Sequence, residues 1–167
     1  MKKIGIFFGG KDNGSTMQVA EKIKAQFGDQ ADIYNVAKST KEDIEKYDNL
    51  ILGTAAMGIG EMNKDWERFI ETLVSVDLKA KKIALFGLGD QKLYPESFVD
   101  GMGTIYLRMP HKENIVGFTS TKGYTYYYST AEIDEQFVGL AIDNDSQKDA
   151  TEKRIADWVS TLKEIFI

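Results

Sequence analysis

Apolar positions along the chain fall into two alternating rhythms. Short runs of Ile, Leu, Val and Phe give way to longer stretches in which apolar residues recur every three or four positions. The first pattern reads as buried strand and the second as helix packed along one face. Lys3–Phe8 is a strand by this criterion. Ser15–Phe27 is a helix with Thr16, Ala20, Ile23 and Phe27 on its inner face and Val19 beside them. Ala31–Val36 is a second, shorter strand, and Ser39-Thr40-Lys41-Glu42 resembles a capping box opening a short helix over Glu42–Lys46. Asn49–Thr54 is a third strand, after which Trp66, Phe69, Ile70 and Leu73 mark a third helix. Lys82–Phe86 is the fourth strand. Pro95 suits the first turn of a fourth helix, whose face is Phe98, Met102, Ile105 and Met109 and which Pro110 stops. Ile115–Phe118 begins a fifth strand.

The rhythm then breaks once. Thr119–Gln136 is polar and aromatic-rich, with Tyr124, Tyr126, Tyr127 and Tyr128, and fits neither period. Phe137–Ile142 is again strand-like, and Asp149-x-x-Glu152 is expected to cap a last helix with Ile155, Trp158, Val159, Leu162 and Phe166 inward. Thr119–Gln136 is therefore read as an insertion in the fifth strand and not as a linker. The alternation predicts one domain over residues 1–167, an α/β fold with a doubly wound parallel sheet and helices on both faces.

Composition narrows the chemistry. The 167 residues include no cysteine and one histidine, His111, which excludes disulfides, thiolate nucleophiles and Cys- or His-rich metal centres. His111, beside Pro110, is expected at the surface near a helix end. The formal net charge of −5 disfavours nucleic acid and anionic membranes as partners and favours a partner with a basic face. The N-terminus carries no charged-then-apolar leader and no apolar run approaches a membrane span, so a cytoplasmic protein is expected. Trp66 and Trp158 lie on core stripes and are read as packing.

In a doubly wound sheet, ligands bind beyond the carboxyl ends of the strands. Three loops leave such ends here: Gly9–Thr16, Thr54–Glu61 and Gly87–Tyr94. The first lies between strand and helix and has three glycines, with Asn13, Ser15 and Thr16 able to bond phosphate oxygens. A helix start offers unpaired N–H groups and the positive end of a dipole, which suits an anion. The loop ends in neither Gly-Lys-Ser/Thr nor GxGxxG, and taken alone it reads equally well as an ordinary turn.

The loops together carry a resemblance. Phe-Phe-Gly before the first loop, Asn-Gly-Ser-Thr within it, Gly58-x-Gly60-Glu61 followed by Asp65-Trp66, and Phe-Gly-Leu-Gly-Asp-Gln-x-x-Tyr94 are joined by Phe98-x-Asp100, Gly123-Tyr124 and Phe137-Val-Gly-Leu-Ala-x-Asp143-x-Asp145. From Lys3 to the final helix the chain resembles a flavodoxin of the long-chain type, and Gly87–Tyr94 is the most specific of these matches. The resemblance implies a flavodoxin-like five-stranded sheet of order 2-1-3-4-5 and FMN held without covalent linkage. By the same resemblance, Gly10, Lys11, Asp12, Asn13, Gly14, Ser15 and Thr16 hold the phosphate. The ring lies between Thr54, Ala55, Ala56, Met57, Gly58, Ile59 and Gly60 on one side and Leu88, Gly89, Asp90 and Tyr94 on the other, with Phe98, Asp100 and Asp145 nearby. The peptide joining Met57 to Gly58 is the candidate for turning over so that its carbonyl accepts the N5–H of the half-reduced flavin.

Several departures from the family pattern matter, among them one extra glycine in the first loop. Lys11 and Asn13 stand where hydroxyls are usual, and Lys11 either neutralises phosphate charge or stays solvated. Met57 replaces the usual Trp, a polarizable but smaller cover for a ring. Asp143, Asp145 and Asp149 read as a solvated turn and cap, with Asp145 also a cofactor candidate. The acids Glu61, Asp65, Glu67, Asp90, Glu96 and Asp100 crowd the second and third loops, as helix N-terminal charges and as a negative rim. What the resemblance implies is a low-potential one-electron carrier with no catalytic residues and no metal. It is expected to be monomeric and to serve redox proteins with basic docking faces, reductases and low-potential oxidoreductases, with no nucleic acid or membrane partner. The alternative is a flavin-dependent NAD(P)H or quinone reductase, whose second pocket would have to be built by Thr119–Gln136. A receiver domain is excluded because the third strand ends Leu52-Gly53-Thr54, with no Asp.

Overall fold

The computed structural model describes residues 3–55 and 62–167. Strands β1 (Ile4–Phe8), β2 (Ala31–Asn35), β3 (Asn49–Ala55) and β4 (Lys82–Leu88) form a parallel sheet in the order β2-β1-β3-β4. Phe8 lies opposite Gly53, and Gly53 opposite Phe86, so three carboxyl ends open along one edge. Alternate residues of each strand feed two cores, as the two-residue period requires. Ile4, Ile6 and Phe8 face α1 (Ser15–Phe27) and α5 (Thr151–Ile165), whereas Phe7, Leu50 and Leu52 face α3 (Lys64–Ser75) and α4 (Asp100–Arg108). The expected inner faces of α1, α3 and α5 are buried, including Trp66 and Trp158.

The expected fifth strand is two strands. β5 (Ile115–Val116) pairs with Ile83 and Ala84, and β9 (Leu140–Ile142) pairs with Phe86, Gly87 and Leu88. The sheet therefore has six strands in five places, with order β2-β1-β3-β4 and then β5 and β9 sharing the outer place beside β4. Between them the chain leaves the sheet, as Thr119–Gln136 led us to expect. It forms a small antiparallel sheet of β6 (Thr119–Ser120), β7 (Glu132–Ile133) and β8 (Gln136–Phe137) in the order β6-β8-β7. Phe137, expected in the main sheet, belongs to β8.

Three helix starts differ from expectation. The capping box is Thr40 with Asp43, one residue later than Ser39 with Glu42, and it opens α2 (Lys41–Glu45). Ser39 is taken elsewhere, its hydroxyl donating to the Asn35 carbonyl at 2.7 Å. Helix α4 begins at Asp100 and not at Pro95, because Val99 holds a left-handed conformation (φ 49°) that breaks any helix reaching back past it. The Pro95 carbonyl instead accepts the N–H groups of Tyr127 and Tyr128 from the insertion. Asp149 does not cap α5. It lies in a short 3-10 turn, and the N-cap is Ala150, whose methyl group cannot accept a bond.

Candidate functional site

At the carboxyl edge, Gly9 just past β1 and Gly53 near the end of β3 leave room for aromatic rings, the Trp66 indole at the first and the Phe86 ring at the second. A Cβ on Gly9 would stand 2.1 Å from Cδ1 of Trp66. The Trp66 Nε1–H donates to the Gly53 carbonyl at 2.9 Å, and the Gly9 N–H donates to the same oxygen. This shared acceptor makes a firm floor for the loop above. The chain then turns through Gly10 and Asn13, the latter left-handed at φ 62°, which an Asn tolerates. The Asn35 Nδ2–H2 donates to both the Gly10 carbonyl and Asp12 Oδ1 at 3.0 Å, and Lys38 pairs with Asp12 at 3.3 Å. The Asn35 bond and the Lys38 contact hold the Asp12 carboxyl below the usual carboxylate range. The acid is thus drawn toward β2. Lys11 is exposed and forms no ion pair among the described residues.

Helix α1 starts from this loop with its end open. Its N-cap is Gly14, which has no side chain to accept a bond, and no acid sits in the first turn. Gly14 N–H is taken by the Lys11 carbonyl, and Gln18 N–H by the Gly14 carbonyl. The first-turn N–H groups of Ser15, Thr16 and Met17 find no acceptor among the described residues. Three free donors, a positive dipole end and the exposed Ser15 hydroxyl could together hold an anion such as a phosphate.

The other wall leaves β4. Asp90 folds the Gly89–Tyr94 turn by accepting the N–H groups of Lys92 and Leu93 at 3.1 Å, and it also accepts the Ser146 hydroxyl at 3.0 Å. Burial alone would raise its pKa, but these bonds and the Lys92 charge hold it below the ordinary value. Tyr94 N–H closes the turn on the Asp90 carbonyl, leaving the Tyr94 ring 40% exposed at the mouth.

Ser15, Ala55, Leu88, Gly89, Asp90, Tyr94, Phe98 and Asp145 all line one cleft. Eight of the expected residues are thereby brought together. Ser97, Val99 and Asn144 line it too and were not expected. Val99 gives no sequence signal, since a β-branched residue is a poor candidate for a left-handed position, and such strain is known to gather at functional sites. Asn144 was within reach, lying between two acids of the matched motif. Gly10, Lys11, Asp12, Asn13, Gly14 and Thr16 belong to the loop and helix start beside the cleft. Thr54 is buried at the end of β3.

Two expected residues have other occupations. Asp100 Oδ1 accepts Thr130 N–H at 2.8 Å and so faces the insertion. Phe98 touches the cleft but is fully buried, its ring against Tyr126 at 5.4 Å, Tyr124 at 5.7 Å and Phe137 at 5.8 Å. In that cluster Tyr124 lies under the Arg154 guanidinium at 4.0 Å, and burial pushes its hydroxyl up to about 12. Ala56, Met57, Gly58, Ile59, Gly60 and Glu61 lie outside the described residues, and with them the Met57–Gly58 peptide.

Asp143 corrects the reading of a solvated turn. It is fully buried and accepts four N–H bonds, two from Gln91 and two from Asp145 and Ser146. Asp145 and Asp149 are exposed. The two tryptophans are packing, with Trp158 Nε1–H donating to Gly117 O at 2.8 Å. His111 is partly exposed, 3.6 Å from Glu113.

The family model described as Flavodoxin matches residues 6–158. The chain is 45% identical over 163 residues to Flavodoxin 1 of Escherichia coli (strain K12), covering 96% of this chain and 92% of that protein. It is 42% identical over 166 residues to the flavodoxin of Helicobacter pylori, covering 99% of each. The crystal structure of Fusobacterium nucleatum flavodoxin bound to flavin mononucleotide superposes with a TM-score of 0.92 at 36% identity, covering 100% of both chains.

Proposed function

Because this chain belongs to the flavodoxin family, we propose that it is a single-domain, low-potential one-electron carrier of the long-chain type, working through non-covalently bound FMN. The observation that supports this most directly is that an uncapped helix start and an exposed tyrosine, Ser15 and Tyr94, line one cleft at the carboxyl edge of the sheet. FMN supplies the electron chemistry when bound, and the protein supplies binding, orientation and charge. The N–H groups of Ser15, Thr16 and Met17 hold the phosphate, with Gly10 to Thr16 shaping the loop. Tyr94 covers the ring, a contact worth roughly 0.5–1.5 kcal/mol beyond area burial. Asp90 holds the turn that presents Tyr94.

Exposed Glu67, Glu96 and Asp145, with half-buried Asp65, place negative charge around this edge, which disfavours further negative charge on the cofactor and keeps its potential low. The same rim suits partner proteins with basic docking faces. We read the chain as a cytoplasmic monomer without a substrate of its own. Among the described residues no helix is long and apolar enough to cross a membrane. The test is to extract and chromatograph the flavin of the purified protein, then add NAD(P)H anaerobically. FMN at one per chain, left oxidised until a reductase is supplied, is expected. Recovery of FAD, or direct reduction by NAD(P)H, refutes the reading.

A further inference from the structure

The most deeply buried carboxylate near the cleft does not itself line it. Asp143 is 0% exposed and is not among the cleft-lining residues. No ion pair reaches it among the described residues, and its charge is met only by neutral N–H donors. A buried charge of this kind is costly unless its lone pairs are filled. They are filled in a divided way. Oδ2 accepts the Gln91 N–H at 3.0 Å and the Gln91 Nε2–H2 at 2.7 Å. Oδ1 accepts the N–H groups of Asp145 at 3.1 Å and Ser146 at 2.8 Å. One oxygen serves the Tyr94 wall and the other serves the Asn144–Asp145 wall.

The link continues outward from Gln91, whose Oε1 accepts the Thr125 N–H of the insertion at 2.6 Å. Ser146 ties back to Asp90. Two turns far apart in sequence thus meet at one carboxylate, and the insertion joins them through Gln91. Two apolar groups could fill the same volume, but they could not fix two backbone turns at once, since only an acceptor with two oxygens answers four donors.

We propose that Asp143 is a positioning residue for the flavin, setting the separation of the two cleft walls by holding Gln91 with one oxygen and the 145–146 turn with the other. This rests on the FMN reading above, and it assigns the cleft's width to a residue that does not touch the cofactor.

The test compares Asp143→Asn with Gln91→Met and the double variant, using Asp149→Asn as a charge-matched control on an exposed residue outside the cleft. FMN uptake by the wild-type apoprotein is measured first. If there is none, the cofactor reading fails and the proposal with it. Given wild-type uptake, Asp143→Asn turns an amide donor toward existing donors and releases one wall. Its FMN affinity is expected to fall about tenfold to a hundredfold, the scale of losing a hydrogen bond to a charged group. The visible spectrum of the bound flavin should change shape. In the apoprotein, amide exchange should quicken at Gln91 or at Asp145 and Ser146. Gln91→Met, which keeps the backbone donor, should lose less, and the double variant less than the sum of the two, because both cut one link. Asp149→Asn should match wild type. Unchanged affinity and spectrum in Asp143→Asn, or strict additivity of the two variants, would overturn the proposal even if thermal stability falls. Should Asp143→Asn not fold, wild-type affinity in Gln91→Met overturns it alone.

Discussion

Replacing Ser15 by Asp should move stability and binding in opposite directions. Ser15 is the first residue of α1, exposed and on the cleft, in a first turn with no acid and a glycine N-cap. A carboxylate there meets the positive end of the helix dipole, so the apoprotein should gain about 0.3–1 kcal/mol. The same charge occupies the place of the phosphate. The structure leaves three first-turn donors open, those of Ser15, Thr16 and Met17. A hydrogen bond to a charged group contributes about 1.5–3 kcal/mol, and contributions within one cluster do not add fully. A loss of about 2–3 kcal/mol is expected, which is roughly 30- to 150-fold in affinity. Titrating the apoprotein with FMN by fluorescence quenching measures this, while a thermal melt of the same sample follows stability. Riboflavin, which lacks the phosphate, provides the internal comparison, and its affinity should be nearly the same for both proteins. Equal FMN affinity in wild type and variant, or an equal loss for riboflavin, would show that the phosphate does not sit at the start of α1.

Tyr94→Ala should weaken FMN binding by about 1–2 kcal/mol, the lower part of the range for an aromatic contact because the ring stays partly exposed. Calorimetric titration would detect it, and an unchanged affinity removes Tyr94 from the site. Asp90 should make stability depend on acid. Its folded pKa lies below 3.8, so its contribution is present above that value and is lost as the pH falls through the folded pKa. Urea midpoints of wild type and Asp90→Asn should differ at neutral pH and converge in acid below pH 3.8, and a constant offset would contradict the assignment. Gly9→Ala should force Trp66 from the Gly53 carbonyl and destabilise the apoprotein by about 1–3 kcal/mol. Chemical denaturation with an unchanged midpoint would show that the indole can yield at no cost.

What could be read from the sequence was what local periodicity carries. The helix over Ser15–Phe27 ends where the pattern ends, since its inner residues and its glycine start all lie within the segment itself. Strands β1 to β4 followed for the same reason. The failures are places where a distant partner decides. Pro95 is a good helix opener in isolation, but its carbonyl is claimed by Tyr127 and Tyr128 and Val99 breaks the path. Ser39 and Thr40 are equivalent as caps until Asn35 takes one of them. Asp143 looked solvated because acids cluster after it, while its distant hydrogen-bond partner, Gln91, comes from the loop that follows β4. The cleft was legible as three loops at one edge. Its unexpected members, Ser97, Val99 and Asn144, depend on how the insertion and the 143–147 turn close around it.

The divided outer row of the sheet bears on how such a chain could lengthen or shorten without losing its frame. Val116 faces Ala84 and Leu140 faces Phe86, so a single position of β4, Leu85, separates the two halves. That gap is about 6.6 Å along a strand, the span of two residue steps. One residue in place of 117–139 would therefore rejoin the row, and because the interval is even, every side chain on both halves would keep its face. The exit and return of the insertion are in phase with the pleat. A segment bounded in this way can be gained or removed as a unit while the four inner strands keep their register. Its removal would fall on Phe98, which would lose the Tyr124, Tyr126 and Phe137 rings around it, so a shortened chain would need a smaller or more polar residue there to stay soluble.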